Sequence, residues 1–208
     1  MIELVIEWLN FISLHVCALL FSYLTTLSVM PVTREEARGE QAWEECAQLR
    51  NISFVFAGIM ILNAIFWFWF PISELAWVLS PDPLFGIIIG IIIGIPCCIL
   101  MIVAMRDAGK EMSAPQKGIP MHGGIYKRMR HPGALGEMPL YVVIALLVNS
   151  LFLTIWMILF VLIFTPIHIH YEEKDLLKRF GEQYAEYRKT TPAFIPGLKR
   201  KRTHLTSD

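Results

Sequence analysis

The fold of this chain depends on one long uncharged run, residues 138–171, which reads MPLYVVIALLVNSLFLTIWMILFVLIFTPIHIHY. The run contains no Asp, Glu, Lys or Arg, and it is too long for one untilted helix, because about 20 apolar residues cross a bilayer. Asn149 and Ser150, near its middle, are residues that favour a tight turn. The sequence therefore predicts two short membrane spans, at about 133–148 and 151–169, joined by this turn.

Three further runs without Asp, Glu, Lys or Arg are long enough to cross a membrane, at 8–33, 51–73 and 84–105. The chain as a whole is 55% hydrophobic, and its mean hydropathy is +0.54. Its share of hydrophobic residues is well above that of a typical soluble domain. We therefore predict an all-α, polytopic membrane protein with about five transmembrane helices.

The basic residues are confined to three segments, although the 18 Lys and Arg are balanced by 18 Asp and Glu. They occur within 34–50, within 106–130 and from 174 onward, and five spans place all three segments on one side of the membrane. Segments rich in Lys and Arg face the cytosol. We therefore expect the N-terminus outside and the C-terminus in the cytosol.

The charge pattern divides the chain into two halves. Residues 1–105 carry the first three spans, with a charged connector at 34–50 that we predict to be an interfacial helix. Residues 106–208 carry a polar loop, the last two spans and an amphipathic helix at 171–192, where apolar side chains recur at helical spacing. Long polar loops between spans usually carry function, so we expect the functional residues in the second half.

Two side-chain patterns predict how the spans are placed. Gly86, Gly90 and Gly94 are four residues apart, so they share one helix face and permit close packing on a helix of this chain or of another. The run FWFWF at 66–70 predicts an aromatic belt at the outer membrane interface.

Two polar clusters are the candidates for chemistry, since the sequence has no phosphate-binding loop, no GxSxG motif and no paired CxxC motif. One cluster is 126–137, before the fourth span, and the other is 168–173, at the end of the fifth. A short hairpin between these spans brings Arg130 and His131 near the two glutamates of the second cluster.

These clusters have three interpretations. The first is an ion pair with ordinary anchoring of the helix ends, and the second is a metal site made of His131, His168, His170 and Glu172. The metal site is weakened because His168 and His170, two residues apart on a helix, diverge by about 200°. The third is an active site, which Glu137 favours because an ionisable group at its predicted depth in the membrane is costly and is usually functional.

Both clusters carry parts of a known signature. Residues 124–137 read GIYKRMRHPGALGE and resemble the G-x-Y-x-x-x-R-H-P-x-Y-x-G-E signature of the isoprenylcysteine carboxyl methyltransferase and phospholipid methyltransferase superfamily of integral-membrane methyltransferases. Residues 172–197 read EEKDLLKRFGEQYAEYRKTTPAFIPG and are similar to that family's E-E-x-x-L-x-x-x-F-G-x-x-Y-x-x-Y…P pattern. The resemblance covers roughly residues 118–198, and the first three spans carry no specific match.

The resemblance implies S-adenosylmethionine as the methyl donor, bound in a cytosolic pocket over the last two spans. It implies that Tyr126, His131 and Pro132 line the adenosine side, and that Glu172 and Glu173 hold the polar part of the cofactor. The full set of implied cofactor contacts is Gly124, Ile125, Tyr126, His131, Pro132, Glu137, Glu172 and Glu173.

The same resemblance implies that residues 106–208 form the cofactor-binding catalytic half, and it implies which side chains lie beside the reacting atoms. Arg130 is assigned to orient an anionic acceptor or the cofactor carboxylate, and it is catalytic together with Glu173. One position departs from the family pattern, which usually has an aromatic side chain where this chain has Ala134, and this leaves the acceptor open. Tyr141, about two turns deeper, is the candidate that replaces the missing acceptor contact.

The expected acceptor is a membrane lipid or a lipid-modified molecule that enters laterally between helices. An isoprenylcysteine carboxylate, a phospholipid amine and a small hydrophobic acid all fit. Methyl transfer from a sulfonium to a carboxylate removes both charges, so a dry site favours it, and it needs no general base.

We expect no metal and no nucleic-acid partner. Two other functions share part of the pattern, an NADPH-dependent sterol or enone reductase and a non-enzymatic membrane scaffold.

Overall fold

The computed structural model describes residues 1–118 and 123–195, and within these ranges it is helical. The α-helices in these ranges are α1 (Ile2–Ser28), α2 (Pro31–Arg38), α3 (Gln41–Phe66), α4 (Pro83–Ala108), α5 (Pro132–Leu147), α6 (Leu151–Phe180) and α7 (Glu182–Thr190). Short 3-10 helices at Ser73–Leu75, Gly109–Met112 and Gly124–Lys127 lie in the connections. The described residues contain no strand, only an isolated β-bridge between Val78 and Ser150. The prediction of an all-α fold is confirmed.

In the part of the chain that the structure describes, four helical segments are long and apolar enough to cross a membrane: α1, α3, α6 and Pro83–Met112, which contains α4. The fifth, α5, is apolar but has 16 residues, which is about 24 Å at 1.5 Å per residue, against a hydrocarbon core of about 30 Å. Of the five predicted transmembrane helices, four are thus long enough to cross the membrane, and the fourth in chain order is the short apolar helix predicted at 133–148. The helix α5 is short because Pro132 occupies its first position, where proline begins a helix, and the turn at Asn149 follows its end.

The turn between α5 and α6 forms at the predicted dipeptide. Asn149 has a φ of 56°, in the left-handed region that Asn adopts more readily than most residues. The Ser150 hydroxyl accepts a hydrogen bond from the Leu153 amide and caps α6. The Asn149 side chain exchanges two hydrogen bonds with the backbone of Ser80, at 3.1 and 3.0 Å. The turn is thereby joined to the loop that precedes α4.

The helices α4 and α5 pack closely along the predicted glycine face. All three glycines of this face are buried, and a Cβ atom at Gly86 would collide with the Leu146 carbonyl of α5. Gly136 of α5 approaches α4 in return, since a Cβ atom there would lie 2.7 Å from the Met101 amide nitrogen. The partner helix of the glycine face therefore belongs to the same chain.

A core of apolar side chains joins α1, α3, α5 and α6. Phe21 of α1 and Met157 of α6 are almost fully buried in it. Trp67 is buried there as well, with its ring stacked on Phe152 at 5.1 Å between centroids. The interpretation of the run 66–70 as an exposed aromatic belt is therefore wrong for Trp67, which packs inside the bundle.

Two helices predicted in the charged segments have different bounds in the structure. The connector at 34–50 is not one helix, because the chain turns between α2 and α3 at Gly39, where φ is 70°. The amphipathic helix predicted at 171–192 is likewise divided at Gly181, where φ is 56°, a backbone conformation that glycine adopts without strain. The paired glutamates of the second motif consequently lie on α6, before this break.

One end of the bundle, which we call the cationic end, holds every Lys and Arg that the structure describes. Arg50 of α3 donates there to the carbonyls of Ser28, at the end of α1, and of Met112, after α4, both at 3.1 Å. The location of this end in the cytosol remains a prediction. Pro196 and Gly197, the last residues of the second motif, lie outside the described residues.

Replacing Gly86 with Ala should weaken the contact between α4 and α5, because the added methyl group has no space beside the Leu146 carbonyl. Overpacking of this kind costs about 1–3 kcal/mol, so we expect a lower midpoint of thermal unfolding in detergent micelles. Gly58→Ala is the matched control, since Gly58 lies in α3 with nothing within 4 Å of an added Cβ atom. Equal midpoints for the two variants would contradict the close packing.

Candidate active site

The 3-10 turn Gly124–Lys127 places the first motif at the cationic end. The Ile125 amide donates to the Asp107 carboxylate of α4 over 2.7 Å. Gly124 has a φ of 50° beside the same carboxylate, and a Cβ atom there would collide with it. This close approach explains the glycine of the motif, and the turn leaves the Tyr126 side chain buried.

The segment after α7 runs beside the first motif. The Arg130 amide donates to the Pro192 carbonyl at 2.9 Å, and the His131 amide donates to the Ala193 carbonyl at 3.0 Å. The hydroxyl of Tyr187 on α7 donates to a carbonyl of the 3-10 turn at 2.6 Å. These contacts hold the two motifs together through the backbone as well as through their charged side chains.

The charged side chains of the two motifs meet between the start of α5 and the last turns of α6. Arg130 Nε donates to Glu173 Oε1 over 2.8 Å. The two ring nitrogens of His131 are also engaged, with Nδ1 at 3.0 Å from Glu172 Oε2 and Nε2 at 3.0 Å from Glu173 Oε1. The proximity predicted from the hairpin is therefore observed.

His131 carries a positive charge in this arrangement. Burial opposes the charged form, but the hydrogen bonds to Glu172 and Glu173 outweigh burial and raise the pKa of His131 to about 9. Both nitrogens of a charged imidazole are donors, so neither offers a lone pair to a ligand. The cluster thus holds two cations, Arg130 and His131, against two carboxylates.

Arg130, His131 and Glu172 of this cluster line a cavity of about 140 Å³ at the cationic end. The predicted site residues that line it are Tyr126, Arg130, His131, Glu137 and Glu172. Ala134 also lines it, so the missing aromatic side chain of the family pattern leaves space in this wall. Other parts of the wall come from α1 and α3, through residues such as Thr25 and Arg50, so the second half of the chain does not enclose the cavity alone.

The remaining predicted site residues lie outside the cavity wall that the structure describes, and they are Gly124, Ile125, Pro132, Tyr141 and Glu173. Tyr141 contacts the wall indirectly, because its hydroxyl donates to Glu137 Oε1 at 3.3 Å. Glu173 supports the wall by holding Arg130 and His131 in place. Direct contacts of these residues with a cofactor or an acceptor remain predictions.

Sequence reasoning missed a buried ion pair in the same wall. Arg179 Nη2 lies 2.7 Å from Glu111 Oε1, and the two side chains are 7% and 5% exposed. The Arg179 guanidinium also packs over the ring of Trp43 at 5.0 Å, so the end of α6 contacts α3 and the turn after α4. Helical spacing was the signal that could have found it, because Arg179 follows Glu172 by seven residues and so lies on the same face of α6.

Two threonines of the wall, Thr25 of α1 and Thr165 of α6, were missed as well. Together with Phe164 and His168 they form the part of the wall that we call the inner wall. His168, which the sequence placed in the polar cluster 168–173, precedes Glu172 by one helical turn and so lies on the same face of α6. His170 is exposed and is not among the residues of this wall. The described residues contain no group of three His, Cys, Asp or Glu side chains that could hold a metal ion.

Residues 84–183 match the sequence profile of the phospholipid methyltransferase family. Over these residues the chain is similar to this superfamily of membrane methyltransferases. The phospholipid methyltransferase match begins in α4 and includes the first motif, the α5–α6 hairpin and the paired glutamates of the second motif. The resemblance inferred from the two motifs is confirmed.

Two curated relatives extend this comparison beyond the phospholipid methyltransferase profile. Methanethiol S-methyltransferase from Pseudomonas deceptionensis is 26% identical over 167 residues, covering 74% of this chain and 62% of the relative. Methanethiol S-methyltransferase 2 from Bradyrhizobium diazoefficiens is 27% identical over 171 residues, covering 73% of this chain and 61% of the relative. The chain thus spans about three-fifths of the length of these relatives. No solved structure matches the chain.

The raised pKa of His131 predicts a stability that depends on pH. A histidine in an unfolded chain has a pKa of about 6.5, and the folded value is about 9. The stabilisation from His131 is therefore fully present below about pH 6.5 and is lost as the pH rises through about 9. We expect the difference in unfolding midpoint between wild type and His131→Gln, measured in detergent micelles, to narrow over this interval.

The control for this experiment is His170→Gln, which replaces an exposed histidine of α6. Its difference from wild type should stay constant over the same interval. A difference for His131→Gln that does not change with pH would mean that the imidazole is not charged in the folded protein.

Proposed function

We propose that this protein is an S-adenosylmethionine-dependent methyltransferase that methylates a lipophilic or small apolar acceptor in the membrane. The observation that carries the proposal is the meeting of the two motifs, in which His131 lies between Glu172 and Glu173 at one cavity. The match to the phospholipid methyltransferase family supports methyl transfer as the reaction. The four helices long enough to span a bilayer support the membrane as its location.

The side chains of the cavity fit the chemistry of S-adenosylmethionine. When bound, this cofactor supplies a methyl group activated by a sulfonium, and it also carries a carboxylate, an ammonium group, ribose hydroxyls and a flat adenine. The Glu172 carboxylate suits the ammonium or hydroxyl donors, the Arg130 guanidinium suits the carboxylate, and the Tyr126 ring suits the base. We infer that these three residues hold the cofactor, while Glu173 positions Arg130 and His131.

The contribution of the chain to the reaction is alignment and the exclusion of water. Arg130 and His131 are held by charge-assisted hydrogen bonds, which are stronger than neutral ones. Alignment of two reactants contributes up to roughly 7–11 kcal/mol to the lowering of a barrier. Phe21 and Phe164, 1% and 4% exposed, form an apolar part of the wall, and a water-poor site strengthens the electrostatic interactions inside it.

The surroundings of the cavity support a choice of acceptor. An apolar groove between α1 and α6, lined by residues such as Leu159 and Ile163, adjoins the cavity because Phe164 lines both. This groove supports lateral arrival of a lipid-borne acceptor, such as an isoprenylcysteine carboxylate or a phospholipid amine. The relatives, which are named for methyl transfer to methanethiol, support a small apolar thiol.

Binding of S-adenosylmethionine and of NADPH to the purified protein, measured by titration calorimetry in detergent micelles, tests this function. We expect binding of S-adenosylmethionine and none of NADPH. Binding of NADPH alone would favour the sterol or enone reductase. Binding of neither would favour the non-enzymatic scaffold.

Arg130→Lys should weaken methyl transfer. The Arg130 guanidinium donates at once to Glu173 at 2.8 Å and to the Thr191 carbonyl at 2.5 Å, and a lysine cannot reproduce this planar fork. Hydrogen bonds to charged groups are worth about 1.5–3 kcal/mol, so we expect a loss of about tenfold to a hundredfold in transfer from methyl-labelled cofactor. Arg128→Lys is the control, because Arg128 is exposed. Wild-type rates in Arg130→Lys would remove Arg130 from the site.

A further inference from the structure

The inner wall of the cavity contains three polar atoms that no described residue satisfies. They are the hydroxyl oxygens of Thr25 and Thr165 and the ring nitrogen Nδ1 of His168, each buried and without a hydrogen-bond partner. All three residues line the same cavity. Roughly 90% or more of buried polar groups in proteins have a partner, so three unsatisfied atoms in one cavity indicate a molecule that binds there.

The other acidic and histidine side chains of this wall already have partners within the protein. His131 donates from both ring nitrogens, and its partner Glu172 accepts one of these bonds. The others with hydrogen bonds or ion pairs inside the fold are Glu111, Glu137 and Asp175. Among the described acids and histidines of the wall, His168 is thus the one that has a buried side-chain nitrogen without a partner.

The surroundings of His168 suit a small apolar nucleophile. The Phe164 ring lies one turn before it, with 5.4 Å between the ring centroids. The charged groups that act on His168 are Glu172, one turn later on α6, Arg50 of α3 and His131 before α5.

We propose that His168 is a catalytic residue that accepts the proton of a thiol acceptor, while Thr25 and Thr165 hold the acceptor sulfur beside it. This inference rests on the proposed methyltransferase function and assigns its acceptor to the class of small apolar thiols. A thiol reacts as the thiolate, and the pKa of a free thiol lies above neutrality, at about 8.5 for cysteine. A carboxylate acceptor needs no proton removal, so an unused base in the wall favours a thiol.

Bonds and charges balance in this step. The thiol proton moves to His168 Nδ1, and the sulfur forms a bond to the methyl carbon as the bond between that carbon and the sulfonium breaks. The electron pair of the broken bond stays on the departing thioether sulfur. The products are a methyl thioether, S-adenosylhomocysteine and a protonated His168, which returns its proton to water after the products leave.

The test compares His168→Asn with the wild-type protein in detergent micelles, with ethanethiol and methyl-labelled S-adenosylmethionine as substrates. Asparagine keeps a polar group near the position of Nδ1 but is not a base. At pH 7 we expect a loss of about a hundredfold or more in methyl transfer, in the range of general acid–base catalysis, with unchanged cofactor affinity by calorimetry. The deficit relative to wild type should shrink as the pH rises, because the solution then supplies thiolate.

The matched control is His170→Asn, two residues further along α6 on an exposed face, which should keep wild-type rates. His168→Gln serves as a second variant if His168→Asn does not fold. Wild-type turnover in the His168 variant, or a deficit that does not change with pH, would overturn the proposal.

Two results with the wild-type protein separate the role of His168 from the methyltransferase function. A wild-type protein that binds S-adenosylmethionine but does not methylate ethanethiol overturns the role of His168, while the methyltransferase function stands with another acceptor. A wild-type protein that does not bind S-adenosylmethionine overturns both.

Discussion

The contact of His131 with both Glu172 and Glu173 is the interaction on which the rest of the structure depends. A charged imidazole buried between two carboxylates is stable only while each charge keeps its partner, because an unpaired buried charge costs several kcal/mol. The contact therefore sets the position of the start of α5 along α6. It also joins two motifs whose partners are 42 residues apart in the sequence into one site.

The turn of the α5–α6 hairpin lies at the opposite end of α5 from His131, and it helps to hold His131 beside the two glutamates. The turn at Asn149 joins the helices tightly, so α5 lies beside α6 from the turn to His131. The other side of α5 packs against α4, and the glycines of α4 let the two helix backbones approach closely. The helices α1 and α3 then close the cavity with residues such as Phe21 and Arg50. The site is thus built by the whole bundle, although both motifs lie in its second half.

The cavity wall has a charged part and an apolar part. Charged groups lie toward the cationic end, where Arg130 and His131 pair with carboxylates, because an ionisable group becomes more costly to hold deeper in a membrane. Elsewhere the wall is apolar at Phe164, and it carries the unsatisfied polar atoms of Thr25, Thr165 and His168. This division fits a polar methyl donor beside the charged groups and an apolar acceptor beside Phe164.

The sequence by itself determined the helical class, the turn at Asn149, the confinement of the cations and the motif that contains His131. Hydropathy, turn preference and motif spacing are local properties of a chain, and they can be recognised without knowing what packs against what. The burial of Trp67, the ion pair between Arg179 and Glu111, and the unsatisfied nitrogen of His168 were decided only by the tertiary structure. Each of these depends on which helix faces meet, and the meeting faces are set by packing partners that are distant in the sequence.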